Sequence, residues 1–68
     1  MEEKLQELII KFGGEKIDRD GKLYIKIPPE KSYSFEIHFK TLFPKKDLVF
    51  IFFDGKYDVW RVEERILK

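Results

Sequence analysis

Six consecutive apolar residues, LVFIFF at positions 48–53, constrain the fold of this chain more than any other feature. An alternating strand has one apolar face, whereas an unbroken apolar run places apolar side chains on both faces and is typical of a strand covered from two sides. The chain has 68 residues and no cysteine, so we expect one domain, residues 1–68, stabilised by apolar packing. A chain of this length has few other helices or strands that could cover both faces of this strand.

One amphipathic helix is predicted at the N-terminus. Its apolar residues recur at i, i+3, i+4 and i+7, which forms a single stripe along a helix. Gly13 and Gly14 follow and favour a left-handed stop. The stripe consists of Leu5, Leu8, Ile9 and Phe12.

Two β-hairpins and a further strand are predicted after the helix. The segment EKIDRDGKLYIKI, from position 15, favours a hairpin with a three-residue turn that sets Ile17 opposite Leu23. Residues 33–40, YSFEIHFK, alternate between apolar and polar and predict a half-buried strand. The 48–53 run is predicted to pair with residues 57–62 through a two-residue Asp54-Gly55 turn, which sets Phe50 opposite Val59.

These elements predict an α+β fold: an N-terminal amphipathic helix packed on a four- or five-stranded antiparallel β-meander. The final segment, VEERILK, is predicted to form a short C-terminal helical turn with Val62 and Ile66 facing inward.

A single long helix can cover only one face of this sheet, so part of the last hairpin is predicted to be an exposed docking surface. We expect a small non-enzymatic protein-interaction module that self-associates as a homodimer or docks on a larger protein. The alternative is a strongly curled sheet that encloses the same residues inside a half-barrel. The predicted interface residues are Val49, Ile51, Phe53 and Trp60.

Nucleic-acid binding is the alternative function. Aromatic rings and lysines on a small sheet can stack bases and contact phosphates. The segment KYDVWRV, residues 56–62, is similar to strands of small archaeal chromatin proteins, which are strongly basic. This chain carries 14 Lys and Arg against 13 Asp and Glu. It therefore has no strong positive electrostatic field that would attract a polyanion such as DNA. The predicted contact residues, placed on one strand face, are Tyr24, Lys26, His38 and Lys40.

The sequence contains one histidine, His38, between Glu36 and Lys40. We interpret these three residues as charges on a solvated strand face rather than as general acid–base groups. The order of acidic and basic residues also resembles the metal-dependent nuclease fold, whose signature ends in (Asp/Glu)-x-Lys on a strand. That resemblance implies Asp18 or Asp20 as the first acid and Glu36 as the second, with His38 where the family has lysine. A degenerate nuclease-like fragment is therefore a remote alternative.

No glycine spacing predicts a phosphate-binding loop, and we expect no cofactor, no metal and no small-molecule substrate. No apolar stretch is long enough to span a membrane, so a cytoplasmic protein is expected. The chain is 40% charged and lacks Asn, a composition typical of hyperthermophile proteins, with the codon bias of an AT-rich genome as the alternative explanation.

Overall fold

Two helices and four strands make up residues 2–65, the part of the chain that the computed structural model describes. The predicted α+β class, the N-terminal helix and the antiparallel sheet are confirmed. The elements in chain order are α1 (Glu2–Lys11), β1 (Glu15–Arg19), β2 (Lys22–Ile27), α2 (Pro29–Leu42), β3 (Lys46–Phe53) and β4 (Asp58–Glu64).

Helix α1 forms as its apolar spacing predicts. All four residues of the stripe, Leu5, Leu8, Ile9 and Phe12, are buried. Gly13 adopts a positive φ of 71°, the left-handed conformation that ends many helices. The chain then turns directly into β1.

Residues 33–40 lie in helix α2, so the strand predicted there is wrong. The buried residues are Ser32, Phe35 and Phe39, at helical spacing. Phe35 and Phe39 also fit an alternating pattern, because positions four apart share a face in a strand and in a helix. Pro29 at the first helical position and Glu30 in the first turn are helix-start signals.

The sheet contains two antiparallel hairpins side by side, in the order β1-β2-β4-β3. Helix α2 connects them, so β4 rather than β3 pairs with β2. Both helices pack on the same face of this sheet, around one core. The core contains Leu5, Leu8, Ile9, Phe12, Ile25, Ile27, Phe35, Phe39, Phe43, Leu48 and Trp60.

The first hairpin has a different turn from the predicted one. Asp20 and Gly21 both have positive φ, 54° and 75°, and form a two-residue turn. The register therefore places Ile17 opposite Tyr24, not opposite Leu23. Because one residue of register exchanges the faces of a strand, Ile17 lies on the side away from the helices.

The second hairpin also departs from its predicted register. Phe50 pairs with Trp60 and Phe52 with Val59, with a β-bulge between Phe50 and Phe52. The connecting loop spans residues 54–57 and is closed by the Asp54 N–H, which donates to the Tyr57 carbonyl at 2.9 Å. A two-residue Asp54-Gly55 turn is therefore wrong.

The C-terminal segment continues the sheet as far as it is described. Val62 and Glu64 belong to β4, so the predicted helical turn is not present there. Ile66, predicted to face inward, lies outside the described residues.

The half-barrel alternative does not fit this sheet. Phe50, Phe52 and Phe53 are each about half exposed, so the apolar run of β3 is not enclosed by the rest of residues 2–65. The helices cover one face, and the other face remains open.

Candidate interaction face of the sheet

The side of the sheet opposite the helices carries the principal candidate site, and we call it the open face. Its position follows from strand pairing: residues of β2 that alternate with the buried Ile25 and Ile27 point away from the helices. Their cross-strand partners point the same way. The open face includes Ile17, Tyr24, Lys26, Val49, Ile51, Phe52, Val59 and Arg61.

Val59 lies on the central strand β4 of this face. It is only 4% exposed, yet it is not part of the core beneath the helices. Its cover therefore comes from its neighbours on the open face. These neighbours surround a shallow depression of about 360 Å³, lined by Ile17, Arg19, Tyr24, Lys26, Ile51, Phe52, Asp54 and Val59.

The bulge in β3 increases the apolar surface of the open face. Two residues of β3, Ile51 and Phe52, oppose the single residue Val59, so both side chains point to the same side. Ile51 is 37% exposed and Phe52 is 51% exposed. Without the bulge, strict alternation would place these two side chains on opposite faces.

A turn carboxylate holds one of the two central cations. Lys26 Nζ lies 3.2 Å from Asp54 Oδ2. The same carboxylate accepts hydrogen bonds from the backbone N–H groups of Tyr57, at 2.6 Å, and Lys56, at 2.8 Å. These backbone donors, followed by Lys26, lower the pKa of Asp54 below its ordinary value, since all of them stabilise the ionised form.

The second central cation, Arg61, is also paired. Its Nε donates to Glu63 Oε2 at 2.7 Å, two residues along the same strand. This hydrogen bond raises the pKa of Arg61, and Tyr24 contributes a smaller effect in the same direction. Both central cations of the open face thus have a carboxylate partner, which reduces their availability to phosphate groups.

The four predicted interface residues do not share one surface. Val49 and Ile51 lie on the open face. Phe53 is exposed, but it pairs with Asp58 at the corner of the sheet, in the same cross-strand row as the buried Ile27. Trp60 is 8% exposed and belongs to the core, because the true register places it opposite Ile25 on the helix side.

Sequence reasoning missed two contributors to the open face, Ile17 and Phe52. The predicted three-residue turn puts Ile17 on the side of Leu23, which packs against the helices. Strict alternation puts Phe52 on the same side as Phe50, whereas the bulge turns it to the open face. The signal for Phe52 was weak, since a bulge within an uninterrupted apolar run leaves no mark on the pattern. The signal for Ile17 was the Asp20-Gly21 dipeptide, which is typical of two-residue hairpin turns.

The predicted nucleic-acid residues are divided between the two layers. Tyr24 and Lys26 lie on the open face, whereas His38 and Lys40 lie on α2. His38 Nδ1 is 2.8 Å from the Ser34 carbonyl oxygen. Lys40 Nζ is 3.1 Å from Glu36 Oε2, one helical turn away. The predicted single face of four contacts is therefore wrong.

The arrangement implied by the nuclease resemblance does not form either. Glu36 lies on a helix rather than on a strand. Among residues 2–65, no three His, Cys, Asp or Glu residues converge into a group that could hold a metal ion. A groove of about 590 Å³ separates the helices beside His38, lined by Lys4, Glu7, Leu8, Lys11, Ile37, His38, Thr41 and Leu42.

Within the described residues, neither helix has the length and apolar character needed to cross a membrane. Comparisons with family models, with curated proteins and with solved structures find no match to this chain.

Proposed function

We propose that this protein is a non-enzymatic self-association module whose contact surface is the open face of its sheet. One observation carries the proposal. Ile51 and Phe52 lie side by side, substantially exposed, on a sheet face that neither helix covers. Sheets of this kind ordinarily bury such a face or solvate it with polar residues.

The composition of the open face favours a protein partner over a nucleic acid. Lys26 is paired with Asp54 and Arg61 with Glu63, so a phosphate would have to displace a carboxylate at each central cation. Glu15 lies opposite Lys26 in the register of the first hairpin and adds a negative charge at the β1 edge of the sheet. An apolar centre with balanced charges around it is typical of a protein interface.

Sedimentation equilibrium over a wide concentration range tests this function. We expect the mass to rise from the 8.3 kDa of one chain toward twice that value as concentration increases. Phe52→Glu should keep the chain monomeric, because it places a charge on the apolar centre of the contact surface. The variant should fold, since this side chain is half exposed in one copy.

Tyr33→Glu is the matched control. Tyr33 is the most exposed large apolar residue of the described chain, at 76%, and it lies on α2 away from the open face. This variant should associate like the unmodified chain. A mass of 8.3 kDa for the unmodified chain at millimolar concentration, or equal association of the two variants, would overturn the proposal.

A further inference from the structure

We infer that two copies pack with their open faces in contact, about a two-fold axis parallel to the strands, and that four charged residues at one end of the sheet set this orientation. The inference rests on the proposed function and specifies its geometry. The four residues are Arg19, Lys22, Asp47 and Glu63.

Opposite charges occupy opposite halves of the same end of the sheet. Arg19 pairs with Lys22 at the end of the first hairpin, and Asp47 pairs with Glu63 at the end of the second. The two hairpins are joined through β2 and β4, where Leu23 opposes Val62. The next residues outward on these strands are Lys22 and Glu63, so the four charges form one row across the sheet.

Each half of this row is unfavourable in a single copy. Two cations face each other in the first hairpin and two carboxylates in the second, and like charges directly opposite destabilise a pair of strands. Arg19 and Lys22 are exposed and have no ion-pair partner within residues 2–65. The side chains of Asp47 and Glu63 remain 44% and 42% exposed, although each contacts one arginine.

A two-fold axis parallel to the strands brings these halves together. Such an axis places β1 of one copy over β3 of the other, and β2 over β4, while each row keeps its height along the strands. Arg19 then faces Asp47 of the second copy, and Lys22 faces Glu63 of the second copy. Both pairings occur twice, once at each half of the interface.

The next row fits the same axis. Ile17 and Tyr24 lie on β1 and β2, and Arg61 and Val49 lie on β4 and β3, in one line across the sheet. Rotation about the axis sets Ile17 against Val49 of the second copy. It also sets Tyr24 against Arg61 of the second copy, an aromatic ring against a cation.

An axis perpendicular to the strands within the interface gives a poor match. It would place each strand over the same strand of the second copy. Arg61 would then face Arg61 of the second copy. This axis would also bring Lys26 toward Lys22 of the second copy, since these residues lie near opposite ends of β2. Like charges in an interface are strongly unfavourable, so these two contacts disfavour the perpendicular axis.

The size of the face sets the strength of the expected association. Four strands are about 19 Å wide and six residues of strand are about 20 Å long, which gives roughly 380 Å² in projection. Two such faces give roughly 760 Å² in total, below the roughly 1,200–2,000 Å² of stable specific complexes and typical of weak, transient ones. We therefore expect a dimer that dissociates on dilution, and the test requires a concentration series.

The test is a charge exchange between two variants. Variant one carries Arg19→Glu and Lys22→Glu, and variant two carries Asp47→Lys and Glu63→Lys. In a homodimer of either variant, like charges face each other in both halves of this row. In a one-to-one mixture, the two variants are complementary at all four positions.

We expect each variant alone to associate roughly tenfold or more weakly than the unmodified chain. The mixture should recover most of this loss, measured by sedimentation at equal total concentration. A control with Lys4→Glu and Lys31→Glu, both on the helices, makes the same change in net charge as variant one and should associate like the unmodified chain. Circular dichroism establishes that each variant is folded.

If variant two does not fold after losing its contacts with Arg61 and Arg65, the single substitutions Arg19→Glu and Asp47→Lys repeat the exchange. A mixture no stronger than its components, beside an unmodified chain that does associate, overturns this packing and leaves self-association intact. An unmodified chain that stays monomeric overturns both.

Discussion

Ser32 and Trp60 form a polar contact inside the core. The indole N–H of Trp60 donates to the hydroxyl of Ser32 at 2.9 Å, and both side chains are buried. This hydrogen bond joins α2 to the central strand β4 across the layer boundary. It also explains why a serine is tolerated among aromatic neighbours, since a buried polar group is stable when it is paired.

Ser32→Ala should lower the free energy of unfolding by about 1–3 kcal/mol, because the buried indole N–H loses its acceptor. Urea denaturation followed by circular dichroism measures this change. Ser34→Ala, at an exposed position of the same helix, is the control and should change stability by less than about 0.5 kcal/mol. Equal stability of Ser32→Ala and the unmodified chain would contradict the assignment of this hydrogen bond.

Asp54 closes the loop of the second hairpin and should make stability depend on pH. Its folded-state pKa is lowered below 3.8 by the N–H groups of Tyr57 and Lys56 and then by Lys26. The charged carboxylate therefore stabilises the fold above pH 3.8, and this contribution is lost as pH falls through the lower folded-state pKa.

Asp54→Asn should unfold at lower urea concentration than the unmodified chain at about pH 7, and the difference should shrink at about pH 2.5. The reason is that protonation removes from the unmodified chain the charge that the variant already lacks. Urea midpoints at the two pH values measure the effect. A difference that is unchanged or larger in acid would contradict the role of the Asp54 carboxylate.

At the scale of elements, α1 was predictable and α2 was not. The stripe in α1 fits only a helical period, and glycine marks its end. In α2, the exposed apolar residues Tyr33 and Ile37 complete an alternating pattern that mimics a strand. Pro29 and Glu30 carried the helix signal, but local start signals are weaker than periodicity over eight residues.

The two hairpins show how a small error in register changes a candidate site. The existence of β3 and β4 followed from their composition, whereas the four-residue loop depends on hydrogen bonds that Asp54 makes in the folded chain, and the bulge leaves no mark on the pattern. Each shift of one residue exchanges the two faces. Trp60 consequently belongs to the core, whereas the bulge turns Phe52 to the open face.

The whole molecule consists of one helical layer on one sheet, and its exposed apolar surface is explained by that arrangement. The prediction that residues 48–53 carry more apolar surface than the chain can hide agrees with the half-exposed phenylalanines of β3. The predicted surface lies on the correct hairpin, but two of its four residues, Phe53 and Trp60, are not on the open face. A second sheet placed on the open face would complete a sandwich in which Ile51, Phe52 and Val59 become an inner layer.

Backbone amide NMR shifts over a dilution series test the central claim, self-association through the open face, most directly. We expect concentration-dependent shifts at Tyr24, Phe52 and Arg61, and constant shifts at Lys31 and Tyr33 on α2. Shifts confined to the helical layer, or no change up to millimolar concentration, would contradict it.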